Sequence, residues 1–335
     1  MARLHPSSGS ARCCPRRHHG AERRGLTVPA LDTNVLFALS SGPPSPIVVL
    51  GAAAALGYVL VFLRARRHGA PLPVWRMVMF LLGCLVMVIA TATGIQTYAR
   101  ELFAAFMFQQ LSLMLIAPPL LILGSPGTVM LRGLPRHGLG LVALRLLIAG
   151  LRSPVARALL HPLAVIPLLV LPLFGFYLTG IADLALSTDA GRSITQLAFL
   201  ISGVLVMTPL VSTELLPRRT SYLIRVVDAF LEMQIHAAFG LTLIFSGPLV
   251  SAFSAPPEGL GVDAVRDQQL AGALVWTYGE LPVLVILLVS LIRWSRQDTR
   301  RADRATRRAD MDGDADLERY NAYLQSLDSD RSDRA

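Results

Sequence analysis

Three ionisable residues recur on one face of a long apolar stretch. Asp228, Glu232 and His236 stand at i, i+4 and i+8 within YLIRVVDAFLEMQIHAAFGLTLIF. At about 100° per residue they fall within roughly 80° of arc on a helix. Asp228 lies beside Arg225, where a pair at the membrane interface is the simplest reading. Glu232 is a turn deeper. His236 is deeper still, and a neutral imidazole there suits metal ligation, proton relay or a hydrogen bond to a neighbouring helix. A further carboxylate, Glu280, sits in the next apolar run, just before Leu281-Pro282. A carboxylate in hydrocarbon is costly unless protonated or paired, so Glu280 is expected to meet His236 across two helices. Such intramembrane ionisable groups are functional pointers by default. A set of amides joins them: Gln109 and Gln110 in one apolar run and Gln196 in another, with Asp267 at the head of the last. Met107, Met114, Met207 and Met233 are soft donors that copper(I) accepts, although at helical spacing methionine is first a packing residue.

The chain that must position these groups is hydrophobic. Of its 335 residues 53% are hydrophobic and 16% charged, and its mean hydropathy is +0.54. Soluble domains carry about a quarter of their residues as charges, so the composition predicts a polytopic membrane protein. The net charge of +9 is due to arginine alone, as the sequence contains no lysine. The arginines fall in short loops and tails, which points to membrane topology and to anionic lipid at cytoplasmic arginines rather than to nucleic acid. Cys13, Cys14 and Cys84 have neither zinc spacing nor a disulfide pattern. No H-E-x-x-H, Walker A or G-x-S-x-G motif occurs, so no enzyme is expected. The paired, Gly/Pro-interrupted segments of an inverted-repeat transporter are missing too.

A transmembrane helix needs roughly 20 apolar residues. The expected fold is an all-α polytopic bundle of about seven such helices, at 46–63, 75–97, 102–123, 158–179, 193–212, 222–250 and 270–292. Pro162, Pro167 and Pro172 interrupt the fourth, which a bundle tolerates where neighbours re-satisfy the freed carbonyls. Residues 138–157, apolar but interrupted by Arg145 and Arg152, read as a helix lying in the interface. Arginines crowd the loops after the first, third and fifth spans, so the N-terminus is expected outside and the C-terminus in the cytoplasm. By this topology the amides, His236 and Glu280 lie towards the outer side. Three regions follow: a basic, disordered tail over 1–45, the membrane domain over 46–292, and a charged cytoplasmic tail over 293–335. The six arginines of the first tail oppose the orientation, which would be relieved by a biological start near Leu26 or Val28. The aspartates from Asp310 to Asp316 lack the glycine placement of a calcium loop and read as a solvated helical tail.

Several strings carry a resemblance. They are YARELFAAFMFQQLSLMLIAPPLLILGSP from Tyr98, His161-Pro162, LLPRRTSYLIRVVDAFLEMQIHAAFG from Leu215, DQQLAGALVWTYGELP from Asp267, and RRAD and LERYNAYL in the tail. Together they resemble the CtaG family of bacterial cytochrome c oxidase assembly factors in its actinobacterial form. The resemblance implies a multi-pass protein of the bacterial plasma membrane. It would work with respiratory oxidase subunits or other assembly factors in maturing a haem–copper oxidase, with copper handled on the outer face. It also implies two histidine pairs, each four residues apart, on the third and fifth helices. The matching positions here are Phe106 and Gln110, and Arg192 and Gln196; His236 alone keeps a metal-ligand side chain. Two other readings stay open: a divergent scaffold that binds no metal, and a small-solute transporter using the Glu280–His236 region.

Overall fold

The computed structural model describes residues 38, 45–161, 164–211, 222–257 and 260–332, and every regular element among them is helical. Helix α1 (Pro46–Arg67) starts on Ser45, whose hydroxyl accepts from the Ile47 N–H, and ends on Arg64, Arg66 and Arg67. Cations there complement the negative helix terminus. Helix α2 (Val74–Ala92) is separated from the short α3 (Gly94–Glu101) by Thr93 in extended conformation. Helix α4 (Phe103–Leu111) runs through a π-turn, Ser112–Ile116, into α5 (Ala117–Leu123). Pro118 and Pro119 bring no N–H to the ladder. The wider turn that precedes them, closed by the Ala117 N–H on the Ser112 carbonyl, carries the chain past that gap. Ser125 then takes a left-handed φ of 50°, and Pro126 restarts the chain as α6 (Pro126–Gly133).

Helices α7 (Gly138–Arg152) and α8 (Pro154–Leu159) follow, split at Ser153-Pro154. Next come α9 (Val165–Val170), a second π-turn (Leu171–Gly175) and α10 (Phe176–Leu178), then α11 (Ile181–Leu186). Four long helices complete the chain. They are α12 (Asp189–Val211), α13 (Tyr222–Phe245), α14 (Ala264–Thr277) and α15 (Glu280–Ser332).

The main core lies where α4, the second π-turn, α12, α13 and α14 converge on Phe103, Phe106, Tyr177, Phe199, Phe239 and Val275. A smaller cluster joins α1, α2 and α6. There Tyr58 stacks on Phe80 with centroids 4.0 Å apart and donates to the Gly124 carbonyl at 2.7 Å. Two crossings depend on glycine. A Cβ on Gly203 of α12 would stand 2.1 Å from the Met114 carbonyl oxygen in the first π-turn. Gly240 of α13 and Gly272 of α14 face each other so closely that a Cβ on Gly272 would lie 2.6 Å from the Gly240 oxygen. Small residues allow such backbone approach between membrane helices. Outward, large apolar side chains including Leu56, Leu60, Ile201, Leu241 and Val285 stay exposed, a surface suited to lipid and not to water.

Among the described residues six helices are long and apolar enough to cross a membrane: Pro46–Arg67, Val74–Ala92, Phe103–Gly133, Asp189–Val211, Ile224–Phe245 and the helix beginning at Ala264. The expected fourth span differs. Among the described residues a shorter apolar helix, Ile166–Leu178, stands there; it runs on through Pro167, Pro172 and the π-turn that opens at Leu171. The expected sixth span ends earlier, at Phe245, before Ser246-Gly247-Pro248. Residues 138–157 form two short helices with Leu139, Leu146 and Val155 exposed. Beyond the last span α15 continues without a break to Ser332. The expectation of disorder over 1–45 falls almost wholly outside the described residues, as do Pro162, Arg218 and Arg219.

Candidate functional site

Three amides from three helices meet in the interior. The Gln109 amide N–H donates to the Ala90 carbonyl at 2.6 Å and to Gln96 Oε1 at 2.5 Å. The Gln196 amide N–H donates to Gln96 Oε1 at 2.9 Å and to Gln109 Oε1 at 3.1 Å. Ser45, at the head of α1, donates its hydroxyl to Gln196 Oε1 at 2.8 Å. All four side chains are buried. The helices place them for local reasons. Thr93 breaks the chain, so α3 brings Gln96 back across α4, and α12 delivers Gln196 from the other side.

Beside this cluster lies a void of about 10 Å³, lined by Gln96, Phe106, Gln109, Arg192 and Gln196, the size of one water. Arg100, also in its lining, pairs with Asp189 at 2.6 Å on a more exposed edge. The structure therefore brings together Phe106, Arg192 and Gln196, from helices far apart in sequence. Gln110 is not among the lining residues. It is 1% exposed, and neither of its amide atoms has a hydrogen-bond partner among the described residues. Gln96 escaped the sequence reading. Its signal was a glutamine two residues after Thr93-Gly94, a break that turns the residues behind it inward.

The ionisable set on α13 is buried within the protein. Glu232 and His236 are both fully buried and Asp228 nearly so. The expected hydrogen bond between Glu280 and His236 is not formed. The His236 ring turns back on its own helix, with Nδ1 3.0 Å from the Glu232 carbonyl oxygen. Nε2, both Glu232 carboxylate oxygens and both Glu280 oxygens have no hydrogen-bond partner among the described residues. Glu280 instead lies near enough to Glu232 to act on it electrostatically, as does Asp228, while His161 acts on Asp228. Among the described residues no three of His, Cys, Asp and Glu are grouped as a metal site would require. Met107, Met114 and Met207 are buried in the apolar core, and Met233 packs against it.

Asp267 is bound to the backbone of a neighbouring helix. Its carboxylate accepts from the backbone N–H of Phe103 and, at 3.1 Å, of Ala104. Leu102 provides α4 with no side-chain cap, so α14 caps α4 from outside. A carboxylate at a helix N-terminus satisfies both the orphan donors and the positive end of the dipole. Its neighbour Gln268 closes the end of α13. It donates to the carbonyls of Leu243 at 3.0 Å and Gly247 at 2.9 Å, and it accepts from the Leu249 N–H at 2.9 Å.

A family model described as cytochrome c oxidase caa3 assembly factor (Caa3_CtaG) matches residues 56–297. An uncharacterized protein of Mycobacterium leprae is 34% identical over 290 residues, 84% of this chain and 43% of that protein. Uncharacterized proteins of Mycobacterium bovis and Mycobacterium tuberculosis are each 33% identical over 288 residues, 84% of this chain and 44% of theirs. The chain thus spans less than half the length of these curated relatives. No solved structure matches.

Proposed function

Because the chain belongs to the cytochrome c oxidase caa3 assembly factor family, we propose that it assists maturation of a respiratory haem–copper oxidase. It does so from within the bacterial plasma membrane, in contact with oxidase subunits or other assembly factors. The family match carries this reading. The arginine asymmetry supports an outside N-terminus and a cytoplasmic C-terminus, with anionic lipid at the cytoplasmic arginines. A deletion strain tests the role. Haem–copper absorbance and oxidase activity should both fall and return on complementation; unchanged oxidase would end this reading.

Convergence of Phe106, Arg192 and Gln196 on one void supports a working site where the resemblance implies histidines. The groups present are an aromatic ring, a guanidinium and amides. They do not fit copper(I), which selects thiolate, thioether or imidazole donors. The cluster suits holding a fixed arrangement of helices against a partner better than passing on a metal ion. The purified protein is therefore expected to retain no stoichiometric copper(I), with or without His236→Ala. Stoichiometric copper(I) that is lost in His236→Ala would restore copper delivery to this chain.

A further inference from the structure

A cleft of about 450 Å³ opens between α4 and α14, well within the range of small-molecule sites. Ile95, Leu102 and Phe108 line one side, Leu270 and Leu274 the other, and Arg266 stands in the first turn of α14. Phe108 is backed by Tyr278, ring centroids 4.8 Å apart. None of these groups belongs to the amide cluster or to the carboxylates described above.

Depth decides what fits. From Arg266 to Leu274 is eight residues of helix, about 12 Å. One leaflet of hydrocarbon is about 15 Å deep, and a spanning partner helix would need a groove through about 30 Å. A cleft that stops within one leaflet has the reach of an acyl chain.

The charges at its head narrow the choice. Arg266 is exposed and has no ion pair among the described residues. Asp267, next in sequence, is engaged by the Phe103 and Ala104 N–H groups. Asp263 caps α14 by accepting from the Arg266 N–H at 3.1 Å, and Glu101 lies two residues before Phe103. A guanidinium suits a phosphate, and flanking carboxylates suit an ammonium, a group that phosphatidylethanolamine has and phosphatidylglycerol lacks.

We propose that this cleft holds one acyl chain of a zwitterionic phospholipid, its phosphate on Arg266 and its ammonium beside Asp263. The test uses the full chain, purified in detergent and incubated with phosphatidylethanolamine or phosphatidylglycerol before native mass spectrometry. One phosphatidylethanolamine should be retained, with phosphatidylglycerol held about tenfold less. Arg266→Gln should lower retention about tenfold, the loss of about one charge-assisted contact, and Leu270→Trp, which narrows the cleft where the acyl chain lies, should lower it about as much. Leu184→Trp, at an exposed position away from the cleft, should leave it unchanged and controls for folding. Equal retention of both lipids, no retained lipid, or retention indifferent to Leu270→Trp would overturn the proposal. So would cleft variants that keep the lipid and lose an oxidase subunit, which would assign the cleft to a protein. The readout needs no oxidase, so it stands apart from the assembly role.

Discussion

Two neighbouring glutamines make opposite demands on the fold. Gln109 is fully engaged by Gln96, Gln196 and the Ala90 carbonyl, whereas Gln110 is equally buried with no bond among the described residues. Removing one partner of a buried hydrogen bond costs about 1–3 kcal/mol, while replacing an unsatisfied group by an apolar one of similar shape is neutral or better. Gln196→Leu should therefore lower the thermal midpoint of the detergent-solubilised protein, and Gln110→Leu should hold or raise it. A stable Gln110→Leu protein that fails to support the oxidase would mark Gln110 as a group kept for function. Asp267→Ala should cost about 1–2 kcal/mol, the scale of a lost helix cap, and Asp267→Asn less, because an acceptor remains; equal losses would deny the capping role. Spacing made Asp228, Glu232 and His236 legible, since a helix fixes which residues share a face. The partners were not legible. Whether an imidazole reaches across to Glu280 or turns back to its own carbonyl depends on rotamer and helix packing, neither of which is written in spacing.

At the scale of elements, the apolar runs announced most of the spans, and the ends moved by a few residues where Ser246-Gly247-Pro248 or Thr93 stopped a helix. The fourth expected span is described in part: an apolar helix runs over Ile166–Leu178 through both of its prolines, and residues 162–163 lie outside the described residues. Two strings that carry the family likeness owe part of their content to one contact. HAAFG contributes Gly240 and DQQLAGALVW contributes Gly272, and the two backbones touch there. Gly203→Ala drives a methyl into the Met114 carbonyl, and overpacking of this kind costs about 1–3 kcal/mol. Gly150→Ala meets nothing within 4 Å and exchanges a poor helix former for the best one, a gain of up to about 1 kcal/mol. Thermal unfolding of the two variants side by side should separate them in sign; a Gly203→Ala protein as stable as the parent would mean that α12 does not cross the π-turn as described.

For the whole molecule, the arginine bias makes a prediction that the helices alone do not. A periplasmic reporter fused after Asp189 should be active and one fused after Arg219 silent; the reverse pattern would invert the orientation and put the amide cluster on the cytoplasmic side. The relatives are more than twice the length that this chain matches. Its interior also has a fixed arithmetic. The π-turn at Ser112–Ile116 holds one residue more than an α-turn, and α4 carries Phe106, Gln109 and Gln110 on one side of it while Pro118 and Pro119 follow on the other. Deleting a single residue there would close an ordinary helical turn and leave the segments on either side nearly in phase, because the wider turn already holds its extra residue within one turn. A residue deleted within α4 has no such turn to absorb it, and would swing the amides by about 100° relative to the rest of the helix although no amide had been changed. The π-turn is thus the place in this stretch where the chain can gain or lose one residue and keep its polar cluster: one-residue gaps between such sequences should collect there and not within α4.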